Sequence, residues 1–258
     1  MSCTPTVPVT VAQLEVPRGR LHYEVRGQGP LLVLVAAPMD ARSFAPLADL
    51  LAADHTVLTT DPRGINRSLV HHPERDSTPE QRADDLSRLI THLDAGPAAV
   101  LGSSGGAVSA LALVQAHPEQ VHTVIAHEPP LLQPLPNRDE LHAATEDIIA
   151  THLSGDRVGA RRKFLANANI ALPVRVFQMM FASEPGRQAA DEDFQNGHML
   201  RPTTRWSPTW PCCAPRRPVC WSASGNSPPA SCASAPVPRW RRHWASNQLL
   251  PRWSHRLH

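Results

Sequence analysis

Short apolar runs alternate with longer amphipathic segments over the first 200 residues of the chain. After a hairpin pattern at 11–27, the apolar runs that predict buried strands lie at 31–38, 55–61, 98–101 and 121–127. Segments with apolar residues at helical spacing lie at 43–53, 79–94 and 107–117. Continuous apolar strands that alternate with helices are typical of a parallel sheet covered by helices on both faces. The pattern therefore predicts the α/β class.

A serine stands at the junction of one predicted strand and the helix that follows it. Residues 102–106 read Gly-Ser-Ser-Gly-Gly, which matches the pattern G-x-S-x-G with Ser104 at its centre. A strand, a tight glycine-flanked turn and a helix together form a nucleophile elbow, in which glycines permit the strained turn. The helix N-terminus favours negative charge that develops beside the serine. This context predicts that Ser104 is a nucleophile rather than part of an ordinary Gly/Ser turn.

A second motif, DPRGINRS, occupies residues 61–68. It is similar to the D-x-R-G-x-G-x-S turn of the α/β-hydrolase superfamily, with Asn66 where a second glycine is usual. With the elbow, this turn makes the chain resemble that superfamily over residues 11–200. The resemblance implies an α/β-hydrolase fold, a mostly parallel sheet with helices on both faces and a helical lid. The implied division is a core at 1–130, a lid at 131–200 and a tail at 201–258.

The lid segment changes to a helical pattern, with helices predicted at 139–153, 156–168 and 174–182 and a polar segment after them. Helices inserted at this point of such a fold cover the active site and shape the substrate pocket. Their apolar residues suit a small or medium apolar acyl group, although the same spacing is also typical of plain packing between lid and core. Met39 and Asp40 are expected at the mouth of the pocket.

The resemblance also implies roles for individual residues. Besides the nucleophile Ser104, the oxyanion hole would pair the amides of Gly105 and Ala37. The family usually has His-Gly at the two positions before Ala37, where this chain has Val35 and Ala36. Glu128 follows the strand at 121–127 and resembles the triad acid that haloalkane dehalogenases, among other members, place there. The alternative for Glu128 is a capping or ion-pairing carboxylate.

The tail at 201–258 has a different composition from the rest of the chain. It contains no Asp or Glu, only five Val or Leu, and all six Trp, four of the five Cys, ten of the 27 Pro and nine Arg. Such a segment cannot supply buried parallel strands, so the last strands of the fold are expected to be missing. We interpret the tail as the product of a frameshift near residues 207–211. The alternative is a genuine Pro/Arg-rich tail.

The tail is also where the family order of serine, acid and histidine places the general base. Its histidines are His243, His255 and His258, and none stands in a Gly/Asp-flanked loop that would mark it as the base. His127 and His122 are interpreted as structural turn residues, and His198 falls in the lid. The sequence therefore identifies no catalytic base.

Composition narrows the possible partners. Residues 1–200 carry 16 basic and 23 acidic side chains, so a specific nucleic-acid partner is not expected, although Trp and Arg interleave at 239–244. The cysteines lack the spacing of a zinc site, and no nucleotide-binding motif occurs, so neither a metal nor a cofactor is expected. No leader or membrane-spanning run is evident, which predicts a cytoplasmic protein.

The expected function is that of a serine hydrolase acting on an ester or similar acyl substrate, a small molecule, through Ser104. Because the sequence identifies no catalytic histidine, we expect this hydrolytic activity to be impaired. One alternative is a cofactor-free haloperoxidase-like or perhydrolase activity, which uses the same residues. Another is an inactive pseudoenzyme or truncated product. A dehalogenase is disfavoured because its chemistry needs a carboxylate nucleophile where this chain has Ser104.

Overall fold

The computed structural model of the chain describes residues 7–181, 186–209 and 219–222. The strands among these residues are β1 Val9–Val16, β2 Gly19–Arg26, β3 Leu31–Ala37, β4 Thr56–Thr60, β5 Leu69–Val70, β6 Ala98–Ser104, β7 Val121–His127 and β8 Val219–Ser222. The α-helices are α1 Ala45–Leu51, α2 Pro79–Leu93, α3 Gly105–Ala116, α4 Arg138–Leu153, α5 Arg157–Asn167, α6 Val174–Phe181, α7 Arg187–Phe194 and α8 Leu200–Arg205. A 3-10 helix precedes α1 at Ala41–Phe44, and a π-helical turn joins α7 to α8 at Gln195–Met199.

The strands form one sheet in the order β1-β2-β4-β3-β6-β7-β8, with β5 paired to β2. β1, β2 and β4 pair antiparallel, whereas β4, β3, β6, β7 and β8 pair parallel. The predicted hairpin and the predicted mostly parallel sheet are therefore both confirmed. The two-residue strand β5, which follows the DPRGINRS turn, was not predicted.

The core explains why the central strands are continuously apolar. In β3, Val33 belongs to the apolar cluster formed with α2 and α3, whereas Leu34 belongs to the cluster formed with α1 on the other face. Both side chains are buried, because helices cover both faces of the sheet. The predicted apolar face of α2 is buried too, and its buried members are Leu86, Leu89 and Ile90.

Helix α2 has defined ends. Thr78 and Gln81 form a capping box at its start, in which each side chain bonds the other residue's backbone amide. Asp94 adopts a left-handed conformation at its end. The predicted helix at 79–94 is therefore confirmed.

Buried polar residues on α2 are a feature that the sequence pattern did not reveal. Arg82 bonds the hydroxyls of Ser109 on α3 and Thr203 on α8, each at 2.8 Å, and the backbone oxygen of Ser77. Burial lowers the pKa of Arg82 to about 10, although the nearby carboxylates of α2 favour its charge. The Arg82 guanidinium therefore connects α2 to α3 and to α8 through buried hydrogen bonds.

The lid helices predicted at 139–153, 156–168 and 174–182 correspond to α4, α5 and α6. The polar segment after them forms α7 and the π-helical turn. Ion pairs join these helices, among them Arg161 of α5 with Glu192 of α7 at 2.6 Å and Arg201 of α8 with Glu146 of α4 at 2.7 Å.

The structure corrects two expectations about the tail. Residues 201–206 pack on the core: Thr203 is buried on α8, and Trp206 is 7% exposed and bonds Glu80 through its indole nitrogen at 2.8 Å. In addition, β8 from the tail pairs with β7 between Thr123 and Ala126, although the tail composition predicted that the strands after β7 are missing. The residues at 210–218 and 223–258, with the three tail histidines, lie outside the described residues.

Candidate functional site

Ser104 lies where the sequence places the elbow. It ends β6 and immediately precedes α3, and its backbone has φ 54° and ψ −125°. A non-glycine residue rarely adopts this combination, which is tolerated where the surrounding structure enforces it, as at functional sites. The turn therefore holds the serine in a strained conformation at the C-terminal end of a central strand, where its side chain is partly exposed.

The glycines around Ser104 are required by close backbone contacts. A Cβ on Gly102 would lie 2.5 Å from the Gly106 oxygen, and a Cβ on Gly106 would collide with the Val35 oxygen and lie 2.7 Å from Cα of Ala36. Backbone atoms of a central strand cannot move aside for a side chain. The glycines of the motif therefore allow α3 to start directly against β3.

The two residues predicted to form the oxyanion hole lie beside each other. Ala37 ends β3 and pairs in register with Ser104, and the peptide bond between Ala37 and Pro38 is cis. A Cβ on Gly105 would be 2.7 Å from the Ala37 oxygen, so these two backbones are in direct contact. The structure thus brings Ala37, Ser104 and Gly105 together at one edge of the sheet.

Glu128 follows β7 at the same edge. Its predecessor His127 pairs in register with Ser103, so Glu128 and Ser104 occupy the next positions of neighbouring chain segments. Glu128 has a left-handed backbone with φ 49° and is exposed. Within the described residues, its carboxylate makes neither an ion pair nor a hydrogen bond.

The three described histidines that the sequence singled out have partners other than Ser104. Nδ1 of His127 lies 3.2 Å from Oγ of Ser103, and Nδ1 of His122 lies 3.0 Å from the neighbouring threonine hydroxyl. Nδ1 of His198, which belongs to the lid segment, lies 3.4 Å from Oδ1 of Asp76. In the part of the chain that the structure describes, no histidine bonds the Ser104 hydroxyl. A base for Ser104 is thus unassigned in the structure, as in the sequence.

The DPRGINRS turn is anchored by its first aspartate. Asp61 is fully buried and accepts hydrogen bonds from the Arg67 guanidinium at 2.8 and 3.0 Å and from the Arg67 backbone amide at 3.1 Å. Its other contact is the backbone amide of Ala41, which donates to Oδ1 at 2.9 Å. One carboxylate therefore fixes both this turn and the 3-10 helix that follows β3.

A buried charge network extends from this turn into β2. Glu24 accepts hydrogen bonds from Arg67 at 2.9 Å and Arg26 at 2.8 Å and contacts His22 at 3.2 Å. Burial raises the pKa of Glu24, but the hydrogen bonds from Arg26, His22 and Arg67 outweigh it and hold the pKa below its usual value. The sequence carried a signal that was not used: residues 22, 24 and 26 alternate along β2 and share one face.

The pocket mouth expected at Met39 and Asp40 stays a prediction. Met39 is 45% exposed, as expected for a residue at an opening. Asp40 is different, because its side chain is 12% exposed and is bonded to Asn66 and to Arg42. Asp40 therefore acts within the loop structure rather than as a free carboxylate.

A cavity of about 640 Å³ is lined by residues of both the DPRGINRS turn and the lid helix α7. Its described lining residues include Asn66, Val70, Ala190, Asp193, Phe194 and His198. They include neither Ser104 nor Glu128, so this cavity is distinct from the edge of the sheet that carries the nucleophile.

None of the described helices is long and apolar enough to cross a membrane. Within the same residues, no group of three or more His, Cys, Asp or Glu side chains is arranged to hold a metal ion. The expectations of a cytoplasmic location and of a cofactor-free enzyme stay predictions.

The curated relatives are hydrolases. The uncharacterized hydrolase YraK of Bacillus subtilis is 43% identical over 145 residues, which cover 55% of this chain and 53% of YraK. The zearalenone hydrolase of Cladophialophora bantiana is 31% identical over 150 residues, which cover 57% of this chain and 55% of that enzyme. The chain thus spans about half the length of the curated relatives it matches.

Solved structures share the fold. A putative epoxide hydrolase from Pseudomonas aeruginosa has a TM-score of 0.58 at 22% identity, covering 78% of this chain and 72% of that one. E-2-(acetamidomethylene)succinate hydrolase has a TM-score of 0.53 at 23% identity, covering 75% and 74%. The family model for the alpha/beta hydrolase fold matches residues 29–170. The chain therefore belongs to the α/β-hydrolase family.

Proposed function

We propose that this protein is a serine hydrolase that cleaves an ester or a similar acyl compound through Ser104. The observation that carries the proposal is the strained backbone of Ser104 at a glycine-flanked turn between a central strand and a helix. Strain of this kind persists only where the surrounding fold enforces it and is concentrated at functional sites. Here the strained serine is partly exposed and lies at the C-terminal edge of the sheet.

The reaction would begin with attack of Ser104 Oγ on the acyl carbon. The carbonyl π electrons move to oxygen, and the oxyanion is bound by the amides of Gly105 and Ala37. The hydroxyl proton must pass to a base, which later returns it to the leaving alcohol. Water then releases the acyl group from Ser104. The proposal is supported by the close approach of the Gly105 and Ala37 backbones beside Ser104.

Glu128 is proposed as the acid that would orient the base. Its position beside Ser104 at the sheet edge and the absence of an ion pair within the described residues leave its carboxylate available for an imidazole. The base itself would come from the sequence that follows residue 206. We propose that a frameshift near 207–211 has replaced the segment that carried it, which impairs turnover.

The proposed substrate is a small-molecule acyl compound that enters beneath the lid. Three of the matched relatives carry the name hydrolase, two of them for zearalenone, and this supports hydrolytic chemistry without fixing the substrate. Because lid side chains determine what such a pocket accepts, the fold alone does not identify the acyl group.

Hydrolysis of an activated ester tests the nucleophile. The chain is expected to turn such an ester over weakly, because the proposed oxyanion residues lie beside Ser104 whereas no described histidine bonds its hydroxyl. Ser104→Ala should reduce the rate to that of buffer alone. The matched control is Ser103→Ala, which removes the neighbouring hydroxyl and should leave the rate unchanged. Equal rates for Ser104→Ala and the unmodified chain would contradict the proposal.

A further inference from the structure

Asn66 occupies the DPRGINRS turn at the position where the resemblance to the family's D-x-R-G-x-G-x-S turn implies a second glycine. Its backbone is left-handed, with φ 50°, a conformation that asparagine tolerates better than most residues. The backbone amide donates to Oδ1 of Asp191 at 2.7 Å, and the side-chain amide donates to Oδ2 of Asp40 at 2.7 Å. One residue therefore connects two carboxylates that belong to different parts of the fold. We call Asp40, Asn66 and Asp191 the Asn66 bridge.

One end of the bridge lies beside the proposed oxyanion hole. Asp40 caps the 3-10 helix after β3, accepting the Arg42 amide at 3.0 Å, and it also bonds the Arg42 side chain at 2.7 Å. The next residue, Ala41, is held by buried Asp61 at 2.9 Å. Only Pro38 and Met39 separate this pinned segment from Ala37. A displacement of Asp40 would therefore be transmitted to Ala37 over a very short stretch of chain.

The other end of the bridge lies in the lid. Asp191 belongs to α7, and three residues later Phe194 packs its ring where a Cβ on Gly64 would stand. Gly64 is in the same turn as Asn66 and has φ 79°. Ion pairs from α5 hold α7 in the lid, including Arg157 with Asp193 at 2.7 Å. The turn thus contacts one rigidly held lid helix at two points.

Charge explains why asparagine suits this position. Asp40 and Asp191 are both carboxylates, and Asn66 is a neutral residue that donates one hydrogen bond to each. Glycine would keep the left-handed backbone and the bond to Asp191 but would lose the bond to Asp40. Aspartate would place a third carboxylate between the other two. Of asparagine, glycine and aspartate at position 66, only asparagine donates a hydrogen bond to both carboxylates without adding a charge.

We propose that Asn66 is a positioning residue that couples the lid helix α7 to the segment carrying the oxyanion donor Ala37. This inference rests on the proposed function for its link to catalysis, whereas the coupling itself is a property of the fold. When the lid is seated, Asp191 holds Asn66, Asn66 holds Asp40, and the loop after β3 is fixed. When α7 moves away, the loop loses one of its anchors.

Hydrogen–deuterium exchange measured by mass spectrometry tests the coupling without requiring activity. Asn66→Gly should speed exchange in residues 39–44 about tenfold, the change expected for loss of one hydrogen bond, and should leave residues 187–199 unchanged. Asp191→Ala should speed exchange in both segments. In the double variant, Asp191→Ala should add nothing further in 39–44, because the connection is already broken. The matched control is Asn169→Gly, which makes the same substitution at an exposed left-handed residue with φ 54°.

Labelling of Ser104 by a fluorophosphonate tests the catalytic consequence. Asn66→Gly should slow the labelling rate by about 10- to 100-fold, whereas Asn169→Gly should not change it. Unchanged exchange in 39–44 or additive effects in the double variant would each overturn the coupling, and an unchanged labelling rate in Asn66→Gly would overturn its link to catalysis. If Ser104→Ala labels like the unmodified chain, the proposed function fails instead, and exchange measured in the Ser104→Ala background still decides the coupling.

Discussion

Restoring a histidine-bearing reading frame after residue 206 is expected to raise the rate of ester hydrolysis by about 10⁴-fold or more. Removal of one member of a serine triad costs rate factors of this size, because the nucleophile then has no group to accept its proton. Ser104, Gly105 and Ala37 lie together in the described residues, and we propose that the base is the group that the restored frame supplies. The measurement compares the initial rate of hydrolysis of one activated ester by the chain as it stands and by the chain with the restored reading frame.

Sequencing the locus again provides the restored chain and its control. The proposal expects a frame that runs past residues 207–211 into apolar sequence with Asp and His residues. Ser104→Ala in that chain should abolish the gained activity. An unchanged reading of the locus would contradict the frameshift. A restored chain that hydrolyses the ester no faster would contradict the assignment of the missing base.

Gly106→Ala is expected to lower the free energy of unfolding by about 3 kcal/mol. The added Cβ would collide with the Val35 oxygen and lie 2.7 Å from Cα of Ala36, both of which belong to the central strand β3. Because backbone atoms on both sides are fixed by the sheet, the methyl group can be accommodated only if α3 moves away from β3. Denaturant titration of the two proteins measures the difference.

Gly197→Ala is the matched control for this substitution. Gly197 also lies in a helical segment, but a Cβ there would have nothing within 4 Å. Its unfolding free energy should therefore stay within about 0.5 kcal/mol of that of the unmodified chain. If the two variants unfold at the same denaturant concentration, the close contact at Gly106 does not have the structural role assigned to it.

The central sheet could be predicted because its signals are local. The strand at 121–127 has the predicted bounds, and the helices at 79–94 and 107–117 differ from the prediction by two residues or fewer at each end. β6 extends beyond the predicted Leu101 to Ser104, because Gly102 and Ser103 continue the pairing with both neighbouring strands. Glycine and serine give no strand signal of their own, so sequence reasoning ended the strand too early.

Contacts between distant parts of the chain could not be predicted in the same way. Helical periodicity places charged residues toward solvent, yet Arg82 is buried because its partners Ser109 and Thr203 come from elsewhere in the chain. Residues 201–206 were grouped with the tail because composition was averaged over the whole segment. Trp206 nevertheless joins the main apolar cluster. The partners of Asn66 lie 26 and 125 positions away, a separation that no local pattern encodes.

The central claim is that Ser104 is the nucleophile, and the most direct test maps a covalent adduct. The unmodified chain is incubated with a fluorophosphonate, digested, and examined by mass spectrometry. We expect an adduct on Ser104 that forms slowly, because no described histidine bonds its hydroxyl, and that is absent from Ser104→Ala and retained in Ser103→Ala. An adduct on Ser103, where His127 lies 3.2 Å from the hydroxyl, or no adduct on either serine, would contradict it.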